Sequence, residues 1–337
     1  MSITRLFRIL VRSATVLAFA VVVFGAFVRL SDAGLGCPDW PGCYGHVSVP
    51  TSQAALAKAT ERYPGSTIQA RKAWIEMIHR YLAGTLGLMV LAIGILAWRT
   101  RLISLQSPLL PSVLVALIVV QALFGMWTVT LKLMPIVVTL HLLGGMTTLA
   151  VLAWLTSRQG EMRRARDATE ARPVNVRAWA AAGLAVLFVQ IALGGWVSTN
   201  YAGMACVDVP LCNGTLIPNM NFADGFTLWR ELGMTASGVP LSDESLSSIQ
   251  WVHRAGAMVT VCILGIVGMI SLPFAALRGF GFTVFGLALL QASLGLANVV
   301  YVLPVPLAVA HNACAALLLV MLVMLNFRAN FATRREI

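Results

Sequence analysis

The chain has 337 residues, 58% of them hydrophobic and only 11% charged, with a mean hydropathy of +0.83. That composition excludes a soluble globular domain and points to a polytopic membrane protein. A formal net charge of +11 would suggest a nucleic-acid partner on a soluble protein, but its placement along this chain favours a membrane instead.

Eight apolar runs are each long enough to cross a bilayer, which takes about 20 residues. The first, Ser13–Leu30, follows Arg5, Arg8 and Arg12, an arrangement that also suits a signal peptide. It is read as a retained helix because it aligns with the fifth run, which lies mid-chain. An outer segment with Cys37, Cys43 and His46 follows. The second run, Trp74–Trp98, opens with Glu76, His79 and Arg80. The third is Pro111–Leu131, and the fourth, Ile136–Thr156, carries His141. An Arg-rich polar stretch, 158–177, is expected to be a cytoplasmic linker. The fifth run, Ala178–Thr199, leads to a second outer segment with Cys206 and Cys212. The sixth, Ile249–Leu272, carries His253 and Arg254. The seventh is Gly279–Leu303, and the eighth, Leu307–Phe327, carries His311. Cys262 and Cys314 fall within apolar runs and are expected to be packing residues. His46 has no counterpart elsewhere and is expected to be solvated.

With the N-terminus cytoplasmic, the inner segments hold fifteen arginines against four acidic residues, which is the whole excess of +11. This is the positive-inside pattern, and it places both termini in the cytoplasm.

The chain also repeats itself. Cys37 and Cys43 precede Cys206 and Cys212 by 169 positions, and Gly25 and Val28 precede Gly194 and Val197 by the same offset. His79-Arg80 matches His253-Arg254 at 174, while Gln121, Gly125 and His141 match Gln291, Gly295 and His311 at 170. Spaced anchors of this kind indicate a duplication. Each half holds four spans, so both enter the membrane from the same side. The expected architecture is all-α: two tandem four-helix bundles, 1–157 and 178–337, related by a pseudo-twofold axis along the membrane normal.

In this topology the even-numbered spans run inward, with each histidine about five residues in. All four then lie roughly 6–9 Å below the outer helix ends. Histidines in a membrane are costly and usually functional. Level pairs on neighbouring helices suit axial ligation of haem iron, His79 with His141 and His253 with His311. Hydrogen bonding between helices is the plainer alternative. Zinc fits less well, because neither half supplies a third inner ligand at that level. Small residues after the histidines (Gly84, Gly144, Gly145, Gly256, Ala313) suit either a flat ligand or ordinary helix packing. Arg80 and Arg254 are candidates for haem propionates, or else for lipid head groups.

One position breaks the symmetry. Glu76 shares a helix face with His79, three residues on, and its counterpart is Gln250. A carboxylate can move protons and an amide cannot, so the first half is expected to be the reactive one and the second to hold electrons. The two cysteine pairs lie where disulfides are permitted, either as loop staples or as redox groups.

The string Val28-RLSDAGLGCPDWPGC, the IEMIHR segment Ile75–Arg80 and the paired later histidines together resemble the haem A synthase family. The resemblance covers Ser13 to Phe327; the CVDVPLC of the second outer segment departs from the CPDWP form. It implies oxidation of the C8 methyl of haem O to a formyl group by successive hydroxylations, for terminal oxidases. It implies a bacterial cytoplasmic membrane protein with its haem sites near the outer face. By the same resemblance His79 and His141 hold the haem substrate, His253 and His311 hold a haem b, and Glu76 is the catalytic carboxylate. Cys37 and Cys43 carry over as a functionally important pair, Cys206 and Cys212 as a structural one. A haem O synthase as supplier, an unidentified electron donor and a homo-oligomer are the partners it allows.

Two rivals share parts of this pattern. A dihaem b-type electron carrier, such as a quinol or ferric reductase subunit, would place haems at both membrane faces. A repeat-built transporter would show broken helices or midplane polar groups, for which only Asn298 and Gln190 offer themselves.

Overall fold

A computed structural model describes residues 3–101, 107–164 and 174–331. Among them the fold is all-α, with isolated bridges but no strand. Eight helices are long and apolar enough to cross a membrane. They are α1 (Ile3–Leu30), α3 (Ala70–Arg99), α4 (Leu109–Thr130), α5 (Pro135–Arg164), α6 (Val174–Thr199), α8 (Asp243–Ser271), α9 (Ala275–Val300) and α10 (Val305–Phe331). These segments are apolar on most faces, which suits a solvent that cannot bond backbone groups. Large side chains such as Val16, Leu88, Met258 and Phe282 stay exposed on the bundle surface, as lipid contact requires.

Helix ends differ from the sequence reading chiefly where polar residues carry the helix beyond the apolar run. α3 starts four residues before Trp74, and α8 six before Ile249. The extension of α8 is capped by Ser242, whose side chain accepts the Ser245 N–H. Asp243 and Glu244 complement the positive helix end. Its polar Ser245, Ser247 and Ser248 are buried rather than solvated. Two short helices were not anticipated, α2 (Gln53–Arg62) and α7 (Phe222–Gly225). Both lie in the polar segments that follow α1 and α6, whose composition hides them from a search for apolar runs. The expected linker 158–177 falls partly outside the described residues: α5 runs to Arg164, α6 starts at Val174, and 165–173 are not described. Cys262 is exposed on the bundle surface, so it is not the packing residue expected; Cys314 is buried.

Helix neighbours follow the duplication. In the first half α1 packs on α3 and α5, and α4 on α3 and α5. In the second, α6 packs on α8 and α10, and α9 on α8 and α10. Between the halves α5 meets α10, flanked by α1–α10 and α5–α6. Trp154 and Phe327 meet edge to face at 4.9 Å across the α5–α10 seam. Residues 169 positions apart also touch: Arg29 Nη2 donates to the Ser198 carbonyl at 2.6 Å, and the Tyr201 hydroxyl to Asp32 Oδ1 at 3.1 Å.

Candidate functional site

The segments that follow α1 and α6 are built alike. Cys37 is bonded to Cys43, and Cys206 to Cys212, each across six positions. Both pairs are buried, not exposed, so exchange with a partner would need the loop to open. Asp39 accepts the backbone N–H groups of Tyr44 and Gly45 at 2.6 and 2.8 Å, and Asp208 those of Asn213 and Gly214 at the same distances. Tyr44 and Gly45, like Asn213 and Gly214, have positive φ, which lets each loop turn back on its carboxylate. The turns that enter α5 and α10 meet these loops too: a Cβ on Gly34 or Gly203 would lie 3.2 Å from Leu133 or Leu303.

Arg80 and Arg254 fasten the loops to α3 and α8. Arg80 donates to the carbonyls of Asp39 (2.8 Å), Pro41 (3.4 Å) and Gly42, and pairs with Glu76. Arg254 donates to the carbonyls of Asp208, Leu211 and Cys206 at 2.7–2.8 Å. Much of each guanidinium is therefore engaged in holding a loop.

The four histidines lie beneath these loops, on α3, α5, α8 and α10, toward one end of the bundle. None is fully buried. His141 is within electrostatic reach of His79, and His311 of His253. Each ring turns its Cε1 edge to a glycine of a neighbouring helix. A Cβ would stand 3.0 Å from His79 at Gly25, 3.5 Å from His141 at Gly125, 3.2 Å from His253 at Gly194 and 3.1 Å from His311 at Gly295. These glycines were visible in the sequence only as repeat anchors. The small residues following the histidines have other surroundings: a Cβ at Gly84 meets nothing within 4 Å, whereas Gly144 adjoins Gln121 and Gly256 adjoins Gln190.

Phe24 stacks on His79, with ring centroids 6.3 Å apart. Nδ1 of His79, His141 and His311 is buried without a hydrogen bond. Among the described residues, Nε2 of His79, His141 and His253 also makes none. Gln291 Nε2 lies 3.1 Å from His311 Nε2, and Gln190 Nε2 lies 3.0 Å from His253 Nδ1. Imidazole nitrogens without a hydrogen-bond partner are the kind of group that can ligate a metal. No three His, Cys, Asp or Glu side chains converge among the described residues.

Glu76 and Gln250 stand one turn above His79 and His253, each only 5% exposed. Glu76 Oε2 accepts the Cys37 backbone N–H at 2.9 Å while Oε1 pairs with Arg80. Gln250 reverses the polarity: its Nε2 donates to the Gly203 carbonyl at 3.2 Å, and its Oε1 is buried without a partner. His46 is half-buried, and its backbone bridges to Cys43.

A family model described as cytochrome oxidase assembly protein (COX15-CtaA) matches residues 8–323. The chain belongs to that family. It is 43% identical over 319 residues to the Heme A synthase of Shewanella oneidensis, covering 94% of this chain and 95% of that protein. It is 30% identical to the Heme A synthase of Caulobacter sp. strain K31, covering 90% of each. The Heme A synthase of Rhizorhabdus wittichii is 29% identical over 90% of this chain and 88% of its own length. All four histidines, both loops and Glu76 lie inside the family match. Among the described residues the chain's eight long apolar helices suit a multi-pass membrane protein.

Proposed function

We propose that the protein converts haem O to haem A by hydroxylating the porphyrin C8 methyl twice, after which loss of water from the resulting diol leaves a formyl group. The observation that carries the assignment to this chain's residues is the polarity contrast at Glu76 and Gln250, set above two otherwise matched histidine pairs. Membership of the family and the names of its relatives support the reaction.

In this reading 1–157 is the substrate half, 178–337 the cofactor half, and 158–177 the cytoplasmic link. The halves are related by a pseudo-twofold axis along the membrane normal. The exchange-paired helix contacts and the touching of equivalent residues support that relation. His79 and His141 hold the iron of haem O; His253 and His311 hold a haem b, which supplies one-electron transfer when bound. Ligation at His311 Nε2 requires the Gln291 carboxamide to turn aside. The glycines against the rings let the helices close on a planar guest without pushing the imidazoles out of line. Glu76 sits where it can take or deliver a proton beside the substrate half, with Arg80 and the Cys37 N–H fixing its carboxylate. The disulfide loops close that end of the bundle and limit water there. Arg80 and Arg254 lie at the rim where propionates would emerge, and they add charge there while anchoring the loops. Cys37–Cys43 matters to function through its hold on Glu76, whereas Cys206–Cys212 is structural. In this reading both termini lie in the bacterial cytoplasm and both haem sites near the outer face of the cytoplasmic membrane, an orientation that the excess of arginine on the side of the termini supports. A haem O synthase delivers the substrate, an unidentified donor supplies electrons, and the protein can assemble as a homo-oligomer.

Glu76→Ala tests the assignment. The variant is expected to bind haem and to form no haem A when its pigments are extracted and chromatographed. Haem A at the full rate would overturn the role of Glu76.

A further inference from the structure

Gln190 stands at the place in α6 that Val21 occupies in α1, with the offset of 169 that also relates Gly25 to Gly194. Its Nε2 lies 3.0 Å from His253 Nδ1 and 3.0 Å from the His253 carbonyl, so one carboxamide grips both the ring and the backbone of that histidine. It fits because residue 256 is glycine: a Cβ there would overlap Gln190 Oε1. The counterpart of Gly256 is Leu82. The second half thus pairs a long polar side chain with a notch, and the first pairs Val21 with a bulky residue. The consequence shows at the rings. His79 Nδ1 is buried with no partner, whereas His253 Nδ1 has one. The contrast is confined to that pair: Gln291 reaches His311 at Nε2, its counterpart Gln121 packs against Gly144, and Nδ1 of His311 and of His141 is unpartnered alike.

Imidazole ligands are normally oriented and made more basic by an acceptor on the nitrogen remote from the metal, and losing that acceptor typically costs about 10–100-fold in affinity. Iron ligation through Nε2 leaves the ring proton on Nδ1. Gln190 Oε1, buried and now without a partner, is the acceptor on the same carboxamide once it turns, exchanging the bond to the His253 carbonyl for one to the ring N–H. We infer that Gln190 is the positioning residue that locks His253 as a haem ligand, and that Val21, at the matching place, leaves His79 unlocked. This rests on the two-site reading above. It supplies what that reading needs and the histidines alone do not provide: one porphyrin held for many turnovers, and one released after each.

The test uses full-length protein with His79 and His141 both replaced by Ala, so that only the C-terminal site is read. Haem transfer to excess apomyoglobin is followed by the Soret band, and the midpoint potential is measured on the same samples. Gln190→Val is expected to speed haem loss by about 10–100-fold. Gln190→Glu keeps the shape and strengthens the acceptor, so it is expected to hold haem at least as long as Gln190 does and to lower the midpoint potential. In the converse protein, with His253 and His311 replaced by Ala, Val21→Gln combined with Leu82→Gly is expected to slow haem loss from the first site. Unchanged loss rates and an unchanged potential in both Gln190 variants would overturn the inference while leaving the two-site reading intact. If His253→Ala in the otherwise native protein kept its full haem complement, the C-terminal site itself would be overturned, and the inference with it.

Discussion

Glu76 accepts the backbone N–H of Cys37 through Oε2 at 2.9 Å, so the carboxylate of α3 is tied to the disulfide of the loop above it. Arg80 completes the arrangement by bonding both Glu76 and the carbonyls of that loop. Loop and carboxylate therefore move as one unit, and a change in either should be felt by the other.

Glu76→Gln makes the first half resemble the second. The amide oxygen can still accept from Cys37, so the loop should keep its place, but the group no longer exchanges a proton. Haem A formation is expected to fall by about 10²–10⁴-fold, the usual range for removing a general acid or base. Pigment chromatography reads the product, and the absorbance spectrum confirms that haem binding persists. Activity within a few fold of normal would remove proton transfer from the role of Glu76.

Replacing Cys37 and Cys43 with Ser should have a similar, smaller effect, because the bond that holds the Cys37 N–H over Glu76 is gone. The matching change at Cys206 and Cys212 acts on a loop whose contact with α8 comes from Gln250 and Arg254 instead. It is expected to lower thermal stability while sparing turnover per folded molecule. Equal losses of turnover in both variants would show that the two loops do the same work.

Gly25→Ala places a methyl group 3.0 Å from the His79 ring, a contact that the ring can relieve only by shifting. The first site should lose bound haem O while the second keeps its haem, as read by pigment stoichiometry. Gly84→Ala, which meets nothing within 4 Å, should change neither.

Asp32 lies just beyond α1 and is held below the usual carboxylate range. The chief cause is the hydrogen bond from Lys72 at 2.8 Å; partial burial opposes it, and Tyr201 adds to it. A depressed folded-state value means that the carboxylate stabilises the fold above its unfolded value of about 3.9, and that this stability is lost as pH falls through the lower folded value. The group is well exposed, so the effect is small, about 0–1 kcal/mol. Asp32→Asn should therefore melt slightly below the native protein at pH 7, with the gap closing as pH is taken well below 4. A gap independent of pH would mean that the charge is not its source.

Trp154→Ala removes one side of the edge-to-face contact with Phe327 at the seam between the halves. Large-to-small changes at fully buried aromatics cost about 3–5 kcal/mol, and Trp154 is only partly buried, so about 1–3 kcal/mol is expected. A loss of that size in thermal unfolding, or poorer recovery of the halves when they are expressed as separate chains, is the expected result.

Eight spans, the repeat and the four histidines were legible in the sequence, because apolar length and recurring residue types are written linearly along the chain. Some helix ends matched closely for the same reason, such as Arg99 of α3 and Ser271 of α8, whereas α1 starts at Ile3 rather than Ser13 and α5 runs to Arg164 rather than Thr156. The starts of α3 and α8 did not match either, since polar turns such as Ser245–Ser248 become helical only by burying themselves under a loop. Likewise α2 and α7 carry no apolar run to announce them.

The chain alone therefore established the class of protein, its duplication and the residue types at its centre, all of which depend on composition and periodicity. Only the folded structure decided which neighbour each of those residues meets. The glycine behind each imidazole comes from a different helix, the disulfides lie buried, and Arg80 and Arg254 are drawn to loop carbonyls. It also revealed that Gln190 reaches His253 Nδ1 while His79 Nδ1 meets no hydrogen-bond partner. These are contacts between segments far apart along the chain, and they exist only once packing has brought the helices together.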